Sequence, residues 1–173
     1  MNKKISTKDL TTIALLTALS VVFKFFSINI GETRRYSFIL LAVMISGIFY
    51  GPLVGAITGG LGDVIGHLVL PQGMFHPGFT LTAIIIGISS GIISRILSNT
   101  DIKNKNLAIS LACCIFNFLI VALFLNTLWL SQLTGTSYWP LLVSRIIKSL
   151  IEMSMNWILL YLLFPQLKKI ILK

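Results

Sequence analysis

The chain has 173 residues, 55% of them hydrophobic and 11% charged, whereas soluble domains run about 45–50% apolar and about 25% charged. That balance excludes a water-soluble globular enzyme, and at roughly 20 residues per spanning helix the length holds about six crossings with nothing left for a soluble domain. The 14 Lys and Arg against 5 Asp and Glu give a net charge of +9; in a soluble chain this points to nucleic acid, but in a membrane chain the placement of the charges carries the information.

Lys3, Lys4 and Lys8 precede the first apolar stretch, as in a secretory signal. The stretch from Leu10 nevertheless runs through Phe26, with Lys24 near its far end, and leads into further apolar segments, so it reads as a retained first span. Apolar segments at 10–28, 37–50, 52–70, 78–97, 107–130 and 139–164 predict an all-α integral membrane protein with six transmembrane helices in a single bundle, one domain over 1–173. The segment 37–50 crosses alone only where the bilayer is thin or the helix continues past Gly51-Pro52.

In chain order, the first span carries the small pair Ala14 and Ala18, and Arg34 and Arg35 fall in the loop behind it. The third span sets Gly55, Gly59, Gly62 and Gly66 on one stripe, which lets a neighbouring helix approach closely. Asp63 and His67 stand one turn apart on a neighbouring face. A single Asp with a single His lacks the further ligand a metal needs and the partners a catalytic site needs, so the pair reads as hydrogen bonding to a polar cavity or to each other. The connection from Pro71 to Leu81 has two prolines, two glycines and two aromatics, and is open to reading as a turn with interfacial anchors or as a lid over a site. Cys113 and Cys114 are adjacent on the fifth span and point about 100° apart, which suits small buried core residues rather than a disulfide or a zinc site. Trp129 near its end, with Tyr138 and Trp139 at the start of the sixth span, forms an aromatic belt or a surface that stacks a flat ring.

Six crossings bring Lys3, Lys4 and Lys8, then Arg95, Lys103 and Lys105, and finally Lys168, Lys169 and Lys173 to one face, which the positive-inside rule makes cytoplasmic for both termini. Arg34, Arg35, Arg145 and Lys148 then lie toward the other face, against the rule. Arg145, Lys148, Glu152 and Asn156 share one face of the sixth span. A charge at the membrane centre costs roughly 2.5–3.5 kcal/mol on insertion scales, so these residues face the bundle interior or a wet cavity. One reading is a Lys148–Glu152 pair that locks helices, with Arg145 reaching outward. The excess of cations favours the other, a positive and partly dehydrated pocket opening outward for an anionic ligand, since arginine binds a carboxylate bidentately.

Several of these segments together resemble a known family. Ala14 and Ala18 in the first span, Arg35-Tyr36-Ser37-Phe38 leading to Gly51-Pro52, Gly62-Asp63-Val64-Ile65-Gly66, Pro71-x-Gly73-x-x-x-Pro77-Gly78-Phe79-Thr80-Leu81, Asn126-Thr127-Leu128-Trp129-Leu130 and Arg145-Ile146-Ile147-Lys148 are similar, over almost the whole chain and in the same order, to the folate-type substrate-binding S-components of energy-coupling-factor vitamin transporters. The resemblance implies a membrane subunit that binds its vitamin from outside and associates with a transmembrane coupling subunit and two ATPases. It implies that Ala14 and Ala18 meet the coupling subunit, and a site in which Arg35, Arg145 and Lys148 meet carboxylate or polar groups of a folate-like compound, Phe79, Trp129 and His76 pack on its ring, and Asn126 belongs to the matching Asn-Thr-Leu-Trp. His67 and His76 depart from the pattern, where the family often has aromatics. No cofactor or metal is implied. Gly-x-x-x-x-Gly-Lys-Ser/Thr occurs nowhere in the chain, so energy comes from a partner or from an ion gradient. The alternatives are an S-component for another vitamin or small metabolite and an ion-coupled secondary transporter; the latter needs a carboxylate pathway, and only Asp63 and Glu152 lie inside the spans.

Overall fold

The structure, a computed structural model, describes residues 7–25, 28–30, 34–36, 38–71, 74–101 and 103–171. Helix α1 (Thr7–Phe25) leads through an antiparallel hairpin of β1 (Ile28–Ile30) and β2 (Arg34–Tyr36) to α2 (Ile39–Tyr50), α3 (Pro52–Val69) and α4 (Pro77–Ser98). Helix α5 (Lys105–Phe116), a π-helical segment (Asn117–Leu125) and α6 (Asn126–Thr134) run on as one rod of 30 residues, and α7 (Tyr138–Ile171) follows. The rods match the six predicted spans. Pro52–Val69, Pro77–Ser98, Lys105–Thr134 and Tyr138–Lys169 are long and apolar enough to cross a membrane, while Leu10–Phe25 and Ile39–Tyr50 are shorter apolar helices.

Helix α2 is short because of where it sits. Every residue from Leu41 to Ile48 is buried, and α1, α3, α4 and α7 all pack on it; a helix apolar all round belongs inside protein. Its 12 residues rise about 18 Å, and the chain reverses at Gly51, whose φ of +95° suits glycine alone, with Pro52 opening α3. The glycine stripe of α3 works within the chain as expected. A Cβ on Gly55 would meet the Gly87 carbonyl, one on Gly59 the Ala83 carbonyl, one on Gly62 the Ser20 hydroxyl and one on Gly66 the Lys24 stem. Rising numbers on α3 thus meet falling numbers on α4 and rising numbers on α1, which makes α3 antiparallel to α4 and parallel to α1. The Cys113 thiol, donating weakly to the Ser90 carbonyl at 3.9 Å, ties α5 to α4, and both Cys113 and Cys114 are buried and free.

Three expectations are corrected. Arg34 and Arg35 lie not in an open loop but on β2, where Arg35 pairs with Asn29 and Arg34 with Ile30; three-residue strands carry too little periodicity to be seen in a sequence. The last span does not stop at 164 but continues through Pro165 to Ile171, because a proline costs one hydrogen bond and need not end a helix packed along its neighbours. Of the two readings left open for Asp63 and His67, the mutual bond is not made: Asp63 accepts from the Thr80 hydroxyl at 2.6 Å across to α4, and the His67 ring lies 5.2 Å from that of Phe75.

Candidate ligand-binding site

At the end of the bundle that carries the hairpin, α4 begins with a sequence suited to a helix start. His76 is the N-cap, its Nδ1 accepting from the Gly78 N–H at 3.1 Å, and Pro77 occupies the first turn, where its missing N–H costs nothing. The cap fixes the imidazole. Its ring then stands 5.6 Å from that of Trp129 on α6 and 5.9 Å from that of Phe79, the latter edge-on. Gly78 lets Trp129 lie directly on the α4 backbone, since a Cβ there would fall on the indole. The indole N–H donates to the Thr82 hydroxyl at 3.0 Å, and that hydroxyl donates to the Gly78 carbonyl at 2.9 Å. His76, Phe79 and Trp129 are thereby brought together by two helices, as the aromatic part of the expected site requires.

The polar part stands on α7 and on the rod beside it. Lys148 and Glu152 form an ion pair of 3.4 Å, both largely shielded, while Arg145, one turn earlier, is half-buried with its Nε finding no hydrogen-bond partner. Below them a cavity of about 30 Å³, no larger than one water's share of liquid volume, lies among Met44, Asn117, Ser149, Glu152 and Asn156. Its polar atoms are incompletely used. Asn117 donates its amide to the Met44 sulfur at 3.0 Å and Asn156 donates to the Glu152 carbonyl at 2.8 Å, but Asn117 Oδ1, Asn156 Oδ1 and Ser149 Oγ are buried without partners. Asn126 Oδ1 is in the same condition. Most buried polar atoms in folded proteins are paired; Asn117, Ser149 and Asn156 gather three of the exceptions around one cavity, and Thr17, Thr58 and Ser90 hold others on α1, α3 and α4.

The π segment runs along this seam. Its wider winding shows in the Asn126 N–H bonding the Val121 carbonyl five residues back, and it begins at Asn117; single π turns cluster at functional sites. The sequence reading missed Asn117, Ser149 and Thr82. The signal for Asn117 was available, a lone amide within a long apolar run, but Ser149 and Thr82 are indistinguishable from ordinary small helix residues. Arg35 lies on β2 and its side chain is outside the described residues. Ala14 and Ala18 are both exposed on α1, next to exposed Leu10, Leu15 and Val22, away from the aromatic and polar groups. Among the described residues no group of three His, Cys, Asp or Glu is arranged to hold a metal.

Residues 8–164 match the family model of the ECF transporter, substrate-specific component. A folate transporter FolT of Clostridium novyi (strain NT) is 32% identical over 149 residues, covering 86% of this chain and 83% of that protein. A folate transporter FolT of Leuconostoc mesenteroides is 28% identical over 153 residues, 86% of this chain and 80% of its own. Among solved structures, a crystal structure of FolT bound with folic acid matches with a TM-score of 0.76 and 26% identity over 90% of this chain and 92% of that one.

Proposed function

The chain belongs to the substrate-specific components of ECF transporters, and from that premise we propose that it is the membrane subunit that captures folate or a closely related anionic pterin for uptake. The observation that carries the reading is the likeness, in sequence and in fold, to folate transporters along nearly the whole chain. The chemistry agrees with it. Folate joins a flat, hydrogen-bonding pterin to a tail with two carboxylates. His76, Phe79 and Trp129 offer the flat surface, and Arg145 and Lys148 offer cations on a partly dehydrated helix face. Arg35 on the hairpin supplies a further cation, and the partnerless amide oxygens of Asn117, Asn126 and Asn156 supply acceptors for ring N–H groups. The cavity of about 30 Å³ is too small for the ring, so a ring that reaches the amides lining it requires the α7 seam to open.

In this reading the hairpin end faces outward and both termini face the cytoplasm, in the cell membrane. Energy comes from a transmembrane coupling subunit that meets the exposed Ala14 and Ala18, with two ATPases behind it. Isothermal titration of the purified protein with folate, thiamin, riboflavin and biotin tests the ligand: folate alone gives a saturable signal. Clear binding of thiamin, a cation, with none of folate overturns the proposal. Replacing Ala14 and Ala18 together by Trp leaves folate binding intact and abolishes ATP-driven uptake; joint loss of both in a well-folded variant refutes the division between pocket and coupling face.

A further inference from the structure

The end of the bundle opposite the hairpin carries a feature that substrate capture does not use. An open cavity of about 530 Å³ lies between the start of α5 and the last turns of α7, lined by Lys103, Asn104, Lys105, Asn106, Tyr161 and Lys168 around Leu107, Leu162 and Pro165. Three lysines from two elements meet there and the lining includes no carboxylate. Lys103, Lys105 and Lys168 are all exposed, and the Lys105 Nζ donates to the Ser98 carbonyl at 2.9 Å.

The apolar part of the groove has a direction. One turn from Leu107 toward the middle of the bundle stands Leu111, and one turn from Leu162 in the same direction stands Ile158, both exposed. Basic residues at the rim and an apolar floor running to membrane depth complement a phosphate with an acyl chain attached. Inorganic phosphate or a soluble phosphate ester has no use for that floor. Pro165 has no N–H to offer the Tyr161 carbonyl, which loses that helical donor at the edge of the groove. The groove also lies away from α1, which packs on α2 and α3, whereas α5 packs on α4 and α7.

We propose that this groove binds the headgroup of an anionic phospholipid of the inner leaflet, with its phosphate among Lys103, Lys105 and Lys168. Basic pockets between spanning helices on the cytoplasmic side recognise such headgroups. The sidedness rests on the orientation given under the proposed function; the lipid chemistry does not.

Native mass spectrometry of the full chain, released from micelles containing phosphatidylglycerol and phosphatidylcholine, tests the proposal. One phosphatidylglycerol is retained in preference. Joint Lys103→Gln, Lys105→Gln and Lys168→Gln weakens its retention at least about tenfold, the same three positions as Arg keep it, and removing an equal charge at Lys3, Lys4 and Lys8 leaves it unchanged. Equal loss in the Gln variant and the Lys3, Lys4 and Lys8 variant shows generic basicity and overturns the site. So does displacement of the lipid by soluble glycerophosphoglycerol at equal concentration, or a Gln variant that holds lipid normally but no longer assembles with the ATPase subunits. Labelling of single cysteines at Asn2 and Gln132 separates the two readings: reagent reaching Asn2 from outside overturns the orientation while leaving the lipid result standing.

Discussion

The seam between α3 and α4 and the seam between the α5 rod and α7 are built on opposite principles. On the first, backbone lies against backbone: Gly55 meets Gly87, Gly59 meets Ala83, and Gly91 meets Pro52 at the turn. Such contacts leave no choice of rotamer, and packed interiors of this kind transmit strain rather than absorb it. On the second, long side chains meet across a π segment, an amide makes do with a thioether, and several buried oxygens have no partner. Partnerless buried hydroxyls also occur on the frame helices, at Thr17, Thr58 and Ser90; what sets the second seam apart is that Asn117, Ser149 and Asn156 line one cavity. The α3–α4 seam fixes the frame, and the α7 seam holds three partnerless polar atoms around one cavity.

The largest effect should come from breaking the frame. Val at Gly87 places its Cβ on the Gly55 carbonyl, and a backbone atom cannot step aside as a side chain can. Overpacking ordinarily costs about 1–3 kcal/mol, and here the cost should exceed about 3 kcal/mol, read as loss of monodisperse protein or a sharply lower melting temperature. Gly60→Ala is the control. Its new Cβ would stand 3.2 Å from the movable Ile84 side chain, so stability should change by less than about 1 kcal/mol. Equal tolerance of both substitutions would mean that α3 and α4 slide easily, and the contrast between the seams would fall.

Changes on the α7 seam should act on binding and spare the fold. Arg145→Ala removes a half-buried cation whose Nε has no hydrogen-bond partner. A charge-assisted contact is worth roughly 1.5–3 kcal/mol, so folate affinity should drop by about one to two orders of magnitude with the melting temperature little changed. Asn117→Leu should cost binding about tenfold while raising stability by up to about 1 kcal/mol, because it deletes an oxygen that is buried without a partner. Opposed signs in binding and stability are the mark of a group kept for function. A variant that loses both together would make Asn117 a structural residue, tied to Met44 and nothing more.

The two seams were unequally legible in the sequence. The glycine stripe of α3 has a period, and a period on a helix is a face, so its close packing followed from spacing alone. The cations on α7 stood out because the bilayer penalises them, and the aromatics at the starts of α4 and α7 because they sit at connections. The hairpin holding Arg34 and Arg35 was illegible, since three residues per strand give no pattern. The π segment was illegible for another reason: its sequence, from Asn117 to Leu125, is apolar throughout after its first residue, and nothing local distinguishes five-residue from four-residue bonding. Which polar atoms lack partners is a property of three helices at once, so Asn117, Ser149 and Asn156 could be grouped only after α2, the π segment and α7 were seen together.

The smallest effect should fall where the two seams touch, at Trp129. Its ring lies on Gly78 at the head of the rigid frame, and its N–H reaches Thr82 one turn along. Trp129→Phe keeps a flat ring and removes the hydrogen bond, which is worth about 0.5–1.5 kcal/mol, so folate affinity should fall about three- to tenfold. Thr82→Val removes the acceptor and also the hydroxyl's own bond to the Gly78 carbonyl, leaving the indole N–H unmatched, so its cost should equal or exceed that of the Phe variant. The double variant is the decisive measurement. If the hydrogen bond orients the ring for binding, the losses overlap and the pair costs less than the two singles combined. Additive losses would mean that Trp129 and Thr82 serve separately, one against the ligand and one within α4, and that the frame does not aim the aromatic group at all.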